Sequence, residues 1–112
     1  MKKVEAVIRV EKLDAVKAVL DTLDCPGLML TRIEGHGKQK GLVQQFRGRE
    51  YKVNLLPKYK LEVVVTDEMA KPIAEAIIEA ARTGEVGDGK IFIYPVEEVC
   101  RIRTGECGEG AI

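Results

Sequence analysis

The stretch Thr83–Phe92, TGEVGDGKIF, sets three glycines and a lysine close enough to hold a phosphate group. Gly84, Gly89 and Lys90 satisfy the first seven places of the pattern G-x-x-x-x-G-K-[ST], in which backbone N–H groups cradle phosphate oxygens. The eighth place is Ile91, so the hydroxyl that would hold magnesium is missing. A loop of that type leaves a strand and opens a helix, pointing the helix N-terminus at the anion. Here the pattern is reversed, with helical spacing before Gly84 and strand-like residues from Lys90 onward. A dinucleotide fingerprint fails in the same way, because Gly35-x-Gly37 opens no helix.

The same residues can hold phosphate by another geometry. Gly84, Gly87 and Gly89 reach dihedrals closed to other residues, which lets N–H groups converge on an anion beside Lys90. Arg101 and Arg103 are two apart in VCRIRT, which reads as a short strand, so both side chains are expected on one face. Two neighbouring guanidiniums need an anion or carboxylates to neutralise them. Glu97, Glu98 or Glu106 could do so by ion pairing. A site drawn from separate elements in this way suits the phosphate tail of a nucleotide.

The elements that must position these residues are legible in the apolar periods. Val4, Ala6, Ile8 and Val10 alternate as one face of a strand. Leu13, Val16, Val19, Leu20 and Leu23 recur at helical spacing, with a stop expected at Pro26-Gly27. LMLTRIE over 28–34 returns to a strand, and Tyr59, Leu61, Val63 and Val65 line one side of another. Ala70, Ile73, Ala74, Ile77, Ile78 and Ala81 predict an amphipathic helix. Thr66 or Asp67 is placed to cap it, Pro72 is expected near its first turn, and Gly84 ends it. KIFIYPV then reads as a strand, with VCRIRT as a short extra one.

The order β-α-β-β-α-β predicts an α+β, ferredoxin-like sandwich with both helices on one face of an antiparallel sheet. Val7, Ile33 and Val64 make the other face partly apolar, and self-association is the expected cover. Between Gly35 and Lys58 lie about twenty residues, where a hairpin needs only two to five, so this stretch reads as a functional loop or an extended hairpin.

Composition narrows the function. The 112 residues fit a single domain, 46% apolar and 32% charged, with a core short of aromatics. Lys+Arg and Asp+Glu both number 18, which argues against a general nucleic-acid binder but leaves room for a local anion site. No apolar run approaches the ~18 residues that span a bilayer. Charges interrupt the opening MKKVEAVIRVEK, so no signal peptide is expected. Cys25, Cys100 and Cys107 show no C-x-x-C spacing and read as reduced thiols of a cytoplasmic protein. Zinc is not expected from a single histidine, His36, with dispersed cysteines.

Taken together, TGEVGDGKIF at 83–92, RIRTGE at 101–106, FRGREY at 46–51, LPKYKLEVVV at 56–65 and GHGKQKG at 35–41 resemble the nitrogen-regulatory PII signal-transduction family almost end to end. The resemblance implies a homotrimer of ferredoxin-like subunits. Each would carry a T-loop (about 36–55), a B-loop (about 82–90) and a C-loop (about 101–106) within a single domain spanning 1–112. It implies that ATP and ADP compete in the clefts between subunits, and that 2-oxoglutarate binds beside ATP with Mg2+. By position it implies nucleotide contacts from Met29, Gly35, Gly37, Lys38, Val64, Gly87, Asp88, Gly89, Lys90, Arg101 and Arg103, the two arginines coming from another subunit. It implies 2-oxoglutarate contacts from Gln39, Lys40, Gly41 and Lys58, with Gln39 also serving the Mg2+. Tyr51 matches a tyrosine that some bacterial members carry uridylylated. The implied partners are ammonium transporters, nitrogen-metabolism enzymes or the transcription machinery, met through the T-loop, without nucleic-acid binding or membrane insertion. Met29 stands where the family often has a threonine, and Cys107 is unusual; it reads as an unused thiol, with redox sensitivity the other reading.

Two other readings stand beside this one. A nucleotide hydrolase would need a nucleophile and a partnered base, and Glu85 and Asp88 offer carboxylates without such a partner. An RNA-binding domain of the same strand order would need stacking aromatics on its central strands, where KYKLEVVV and KIFIYP offer few.

Overall fold

A computed structural model of the chain describes residues 1–36, 43–46, 49–52 and 55–112. Strand β1, Lys2–Arg9, buries Val4, Ala6 and Ile8 and turns Lys3, Glu5, Val7 and Arg9 to the opposite face, as its alternation predicts. It pairs antiparallel with β5, Leu55–Val65, on one side and with β6, Gly89–Pro95, on the other. Strand β2, Met29–His36, pairs antiparallel with the far edge of β5, giving the order β2-β5-β1-β6. Helices α1, Leu13–Thr22, and α2, Asp67–Ala81, pack against each other. Val16 and Leu20 of α1 and Ile73 and Ile77 of α2 join Val4, Ala6, Ile8, Leu61, Val63 and Val65 in one core. Each large aliphatic side chain removed from water there contributes about 1.5–3 kcal/mol. The chain is α+β, with a four-stranded antiparallel sheet and two helices, compatible with a ferredoxin-like sandwich. Among the described residues no helix is long and apolar enough to cross a membrane.

Three local expectations are corrected. Helix α1 ends at Thr22, ahead of Pro26-Gly27, because Asp24 adopts a left-handed backbone (φ 49) and the Cys25 N–H closes onto the Leu20 carbonyl at 3.2 Å. Pro72 is the sixth residue of α2, beyond the first turn, so the helix forgoes one interior hydrogen bond there. Thr66 stands at the N-cap, but its side chain makes no capping bond; its carbonyl instead accepts from the Met69 N–H at 3.1 Å.

The long segment after β2 contains two further strands, β3 (Val43–Phe46) and β4 (Arg49–Lys52), paired antiparallel with Val43 opposite Lys52. Part of this stretch is therefore a two-stranded ribbon. Strand β5 starts at Leu55, four residues ahead of the expected Tyr59.

The expected extra strand does not form. Residues 102–104 turn, the Gly105 N–H bonds the Arg101 carbonyl at 2.8 Å, and Gly105 takes φ 72. The alternation of Val99, Arg101 and Arg103 looks like a strand, but the segment folds back on itself and reaches no sheet edge; Ile102 is fully exposed.

Candidate functional site

The glycine loop follows α2 and leads into β6. Its three glycines all take positive φ: 88 at Gly84, 103 at Gly87 and 104 at Gly89. At Gly89 the requirement is also spatial. A Cβ there would stand 1.7 Å from the Val7 carbonyl oxygen, because β6 starts hard against β1.

Asp88 organises the loop from within. Its carboxylate accepts hydrogen bonds from the Thr83 N–H (2.8 Å), the Thr83 hydroxyl (2.5 Å) and the Gly84 N–H (2.9 Å). Arg9 donates to the same carboxylate from Nε at 3.1 Å and to the Val86 carbonyl from Nη2 at 3.0 Å. Lys58, a buried lysine at the start of the sheet, donates to the Gly87 carbonyl at 2.6 Å. Two cations thus hold two successive carbonyls of the loop. In a planar trans peptide the next N–H points the opposite way. The N–H groups of Gly87 and Asp88 are therefore turned away from Arg9 and Lys58, and no hydrogen bond engages them among the described residues. Adjacent unpaired N–H groups, two residues ahead of Lys90, are the kind of donor set that a backbone anion nest requires.

The hydrogen bonds to Asp88, from Thr83 above all, hold its carboxyl well below the usual 3.8. Burial, and after it the Arg9 charge, pushes the Lys58 ammonium below its usual 10.5. The sign for Asp88 is that of a carboxylate stabilised in the native state. Its contribution is complete above the ordinary carboxylate value and is lost as the pH falls from about 3.9 toward the depressed native value. The Thr83 and Gly84 amide resonances should therefore hold constant through pH 3.8 and move only in stronger acid, whereas in Asp88→Asn they should be displaced at neutral pH. An NMR titration that moved them with an ordinary midpoint would contradict this loop geometry.

A cavity of about 340 Å³ adjoins the loop between α2 and β6. Its lining includes apolar Val7, Ile77 and Ile91 and charged Arg82, Asp88 and Lys90.

The expected nucleotide residues do not all meet within one chain. Gly35, Lys58, Gly87, Asp88, Gly89 and Lys90 collect at one end of the sheet, where Gly35 approaches Lys58 so closely that a Cβ would lie 2.9 Å from its Cγ. Lys90 is opposite Val7, whereas Val64 is level with Lys3 and Tyr94; Tyr94 is four residues, about 13 Å, along β6 from Lys90, and Val64 is two strands across from it. Met29, half exposed, lies on edge strand β2, three strands from β6. The segment bearing Arg101 and Arg103 departs from the end of β6 where Pro95 faces Lys2, opposite to the end that holds Lys90. No hydrogen bond or ion pair joins either arginine to the glycine loop among the described residues. One chain thus presents two separate partial sets. Gly37, Lys38, Gln39, Lys40 and Gly41 lie outside the described residues, and Tyr51 is described only as part of β4.

The arginine segment is a closed hairpin. The Arg101 N–H bonds the Glu106 carbonyl at 2.7 Å, and the Gly108 N–H bonds the Val99 carbonyl at 2.9 Å. Arg101 pairs with the Glu106 carboxylate at 3.0 Å and reaches the Gly110 carbonyl at 3.2 Å, so one of the carboxylates considered from sequence takes up this arginine. Arg103 is exposed and has no such partner among the described residues. Cys100 and Cys107 are joined by a disulfide across this hairpin, which corrects the reading of all three cysteines as reduced thiols; Cys25 remains free. Glu98 stands beside the two sulfurs, but sulfurs bonded to each other offer no thiolate ligands for a metal.

Arg9 and Thr83 were not singled out by the sequence. Arg9 reads only as an outward residue of β1, and its partner is 79 residues away. A threonine five residues before an aspartate is too common a pattern to mark a loop.

The family model described as nitrogen regulatory protein P-II matches residues 1–106. The chain is 54% identical to the nitrogen regulatory protein P-II of Haemophilus influenzae over all 112 residues, covering the whole of both chains. It is 52% identical to that of Nostoc punctiforme, again covering both chains fully. It is 49% identical to nitrogen regulatory protein P-II 2 of Methanothermobacter thermautotrophicus, covering all of this chain and 97% of that one.

Proposed function

The chain belongs to the nitrogen regulatory protein P-II family, whose members are signalling regulators and not enzymes, and from that premise we propose that it reports cellular ATP, ADP and 2-oxoglutarate to nitrogen-metabolism targets in the cytoplasm. The observation that carries the proposal is the loop of residues 82–90, the B-loop of this reading. Arg9 and Lys58 fix its carbonyls, and that leaves the Gly87 and Asp88 N–H groups available, with Lys90 close by in the chain, to receive an anion.

Polyphosphate binding then follows from charge and geometry. The loop amides take phosphate oxygens at no conformational cost, since the glycines already hold the positive φ that convergence requires. Lys90 supplies one cation, and Arg101 and Arg103 of the C-loop (101–106) supply two more. The two sets lie apart in one chain, so we assign them to different copies meeting in a homotrimer, with the nucleotide in each cleft. Met29, Gly35, Gly37, Lys38 and Val64 complete the base, ribose and phosphate side. The half-exposed apolar residues on the outer sheet face, including Met29, Phe92 and Tyr94, support burial between copies.

2-Oxoglutarate is a dianion and needs a cation and fixed donors. Lys58 supplies the cation, and Gln39, Lys40 and Gly41 are assigned to the same ligand by the family resemblance. Lys58 already holds the Gly87 carbonyl, so an incoming carboxylate would compete for the ammonium that steadies the nucleotide loop. That shared lysine gives the two ligands a physical route of coupling. Gln39 offers an amide oxygen, a hard donor suited to Mg2+, with phosphate and 2-oxoglutarate oxygens completing an all-oxygen set. When bound, Mg2+ would offset the combined negative charge of the two ligands. The T-loop, 36–55, carries the result to an ammonium transporter, an enzyme or the transcription machinery by favouring one of its states. Tyr51 within it is the candidate uridylylation site.

Calorimetry tests this reading. 2-Oxoglutarate should bind measurably only when ATP and Mg2+ are present, and ADP should displace ATP without supporting it. Failure of ATP to bind would overturn the proposal. Steady multiple-turnover phosphate release would favour a hydrolase instead.

A further inference from the structure

We propose that the Cys100–Cys107 disulfide is a redox-controlled staple that sets how tightly the chain holds polyphosphate, a role that rests on the reading of Arg103 as a phosphate contact. The bridge closes a ring of residues 100–107, and both arginines of the C-loop lie inside it. The two cysteines face each other as the single bridge pair of an antiparallel hairpin, flanked by the Arg101 N–H to Glu106 carbonyl and Gly108 N–H to Val99 carbonyl bonds, with Cα atoms 4.1 Å apart. This is the closely spaced, non-hydrogen-bonded kind of pair, in which facing side chains approach nearest.

Little else holds the hairpin. Its backbone is tied by those two bonds and the Gly105 N–H to Arg101 carbonyl turn, and its side chains by the Arg101–Glu106 pair, the Arg101 bond to the Gly110 carbonyl and the Glu106 N–H to Thr104 hydroxyl bond, all at the surface. Ile102 at its tip is fully exposed and packs on nothing. An exposed ion pair restrains a loop weakly. The covalent bridge is therefore the strongest restraint on where Arg103 is carried.

Both cysteines are exposed, so a thiolate can reach them. Thiol–disulfide exchange with a dithiol reductant breaks the Cys100–Cys107 S–S bond and forms one within the reductant. Two electrons and two protons pass to the protein sulfurs, leaving two thiols. Exchange with a small-molecule disulfide runs the same steps backward. Bridges of this exposed kind are the labile, regulatory ones where the surroundings are reducing. In the closed ring the backbone that carries the arginines is already restrained. In the open chain the polyphosphate must order them on binding, which weakens affinity by about tenfold, the scale expected for immobilising one or two long side chains.

The test uses the full chain, with the bridged form identified by mass as lacking two hydrogens. ATP affinity is measured by calorimetry before and after dithiothreitol, and after reoxidation with oxidised glutathione. Reduction should weaken ATP binding about tenfold and reoxidation should restore it, while Cys107→Ser should bind weakly throughout. Equal affinity in the bridged and reduced protein overturns the staple while leaving the nucleotide reading intact. A reductant effect that persists in Cys107→Ser also overturns it, since the change would then arise elsewhere. ATP binding in neither state overturns the nucleotide reading, and the staple with it.

Discussion

Lys90→Gln and Arg103→Ala proteins should each bind ATP about 10- to 100-fold more weakly than the parent, and a mixture assembled from both should regain tight sites. The magnitude is that of one charge-assisted hydrogen bond to phosphate, about 1.5–3 kcal/mol. The recovery follows from the placement of the two residues. Lys90 is the second residue of β6, opposite Val7, whereas Arg103 belongs to the hairpin that leaves the other end of that strand. If each cleft of a trimer uses Lys90 from one copy and Arg103 from the next, every mixed trimer contains one cleft in which both are native. Calorimetry of co-refolded protein should then give one tight site per mixed trimer. A site contained within one chain would regain none, and that result would overturn the shared cleft. Arg103 is the better probe of the pair because Arg101 also ties the hairpin through Glu106 and Gly110.

Gly89→Ala should cost more than about 4 kcal/mol, enough to unfold much of a small domain. Two penalties combine there. A side chain at φ 104 is strained, and the new Cβ would sit 1.7 Å from the Val7 oxygen and 2.8 Å from its carbon. Both are backbone atoms in the β1–β6 ladder, so neither can yield without breaking the pairing. Gly84→Ala is the control: its φ of 88 carries similar strain, but nothing lies within 4 Å of the added carbon. That variant should lose about 1–2 kcal/mol, the cost of left-handed backbone alone. Urea unfolding compares the two, and equal losses would show that the close approach to Val7 is not a constraint.

The apolar periods sufficed for the four sheet strands and both helices because each is a local pattern written in adjacent residues. Val4, Ala6 and Ile8 must share a face in any strand, and Ile73 and Ile77 in any helix. The same logic failed for VCRIRT. Its alternation is real, but a two-residue period marks a strand only when a sheet edge is there to receive it. Gly105 and the facing Cys107 instead turned the segment back on itself. Cysteine spacing misled for a related reason: seven residues apart is far in a strand and adjacent across a hairpin.

The glycine loop lay between these cases. Three glycines and Lys90 marked a candidate anion site in the sequence, since no other residues reach such dihedrals so easily. Which amides of the loop are left without a partner was not written there. It depends on Arg9 and Lys58 seizing the Val86 and Gly87 carbonyls from 77 and 29 residues away, and that needs the β1–β5 and β1–β6 registers. The sequence alone therefore determined the four sheet strands, the two helices, the family and the kinds of residue available for phosphate. Tertiary structure alone decided that Asp88 turns inward to brace the loop, that Lys58 is shared between the loop and its own strand, and that the lysine and arginine sets stand apart. Periodicity is carried by neighbours in the chain, whereas the direction of a carbonyl and the separation of two charges are fixed only when distant strands pair.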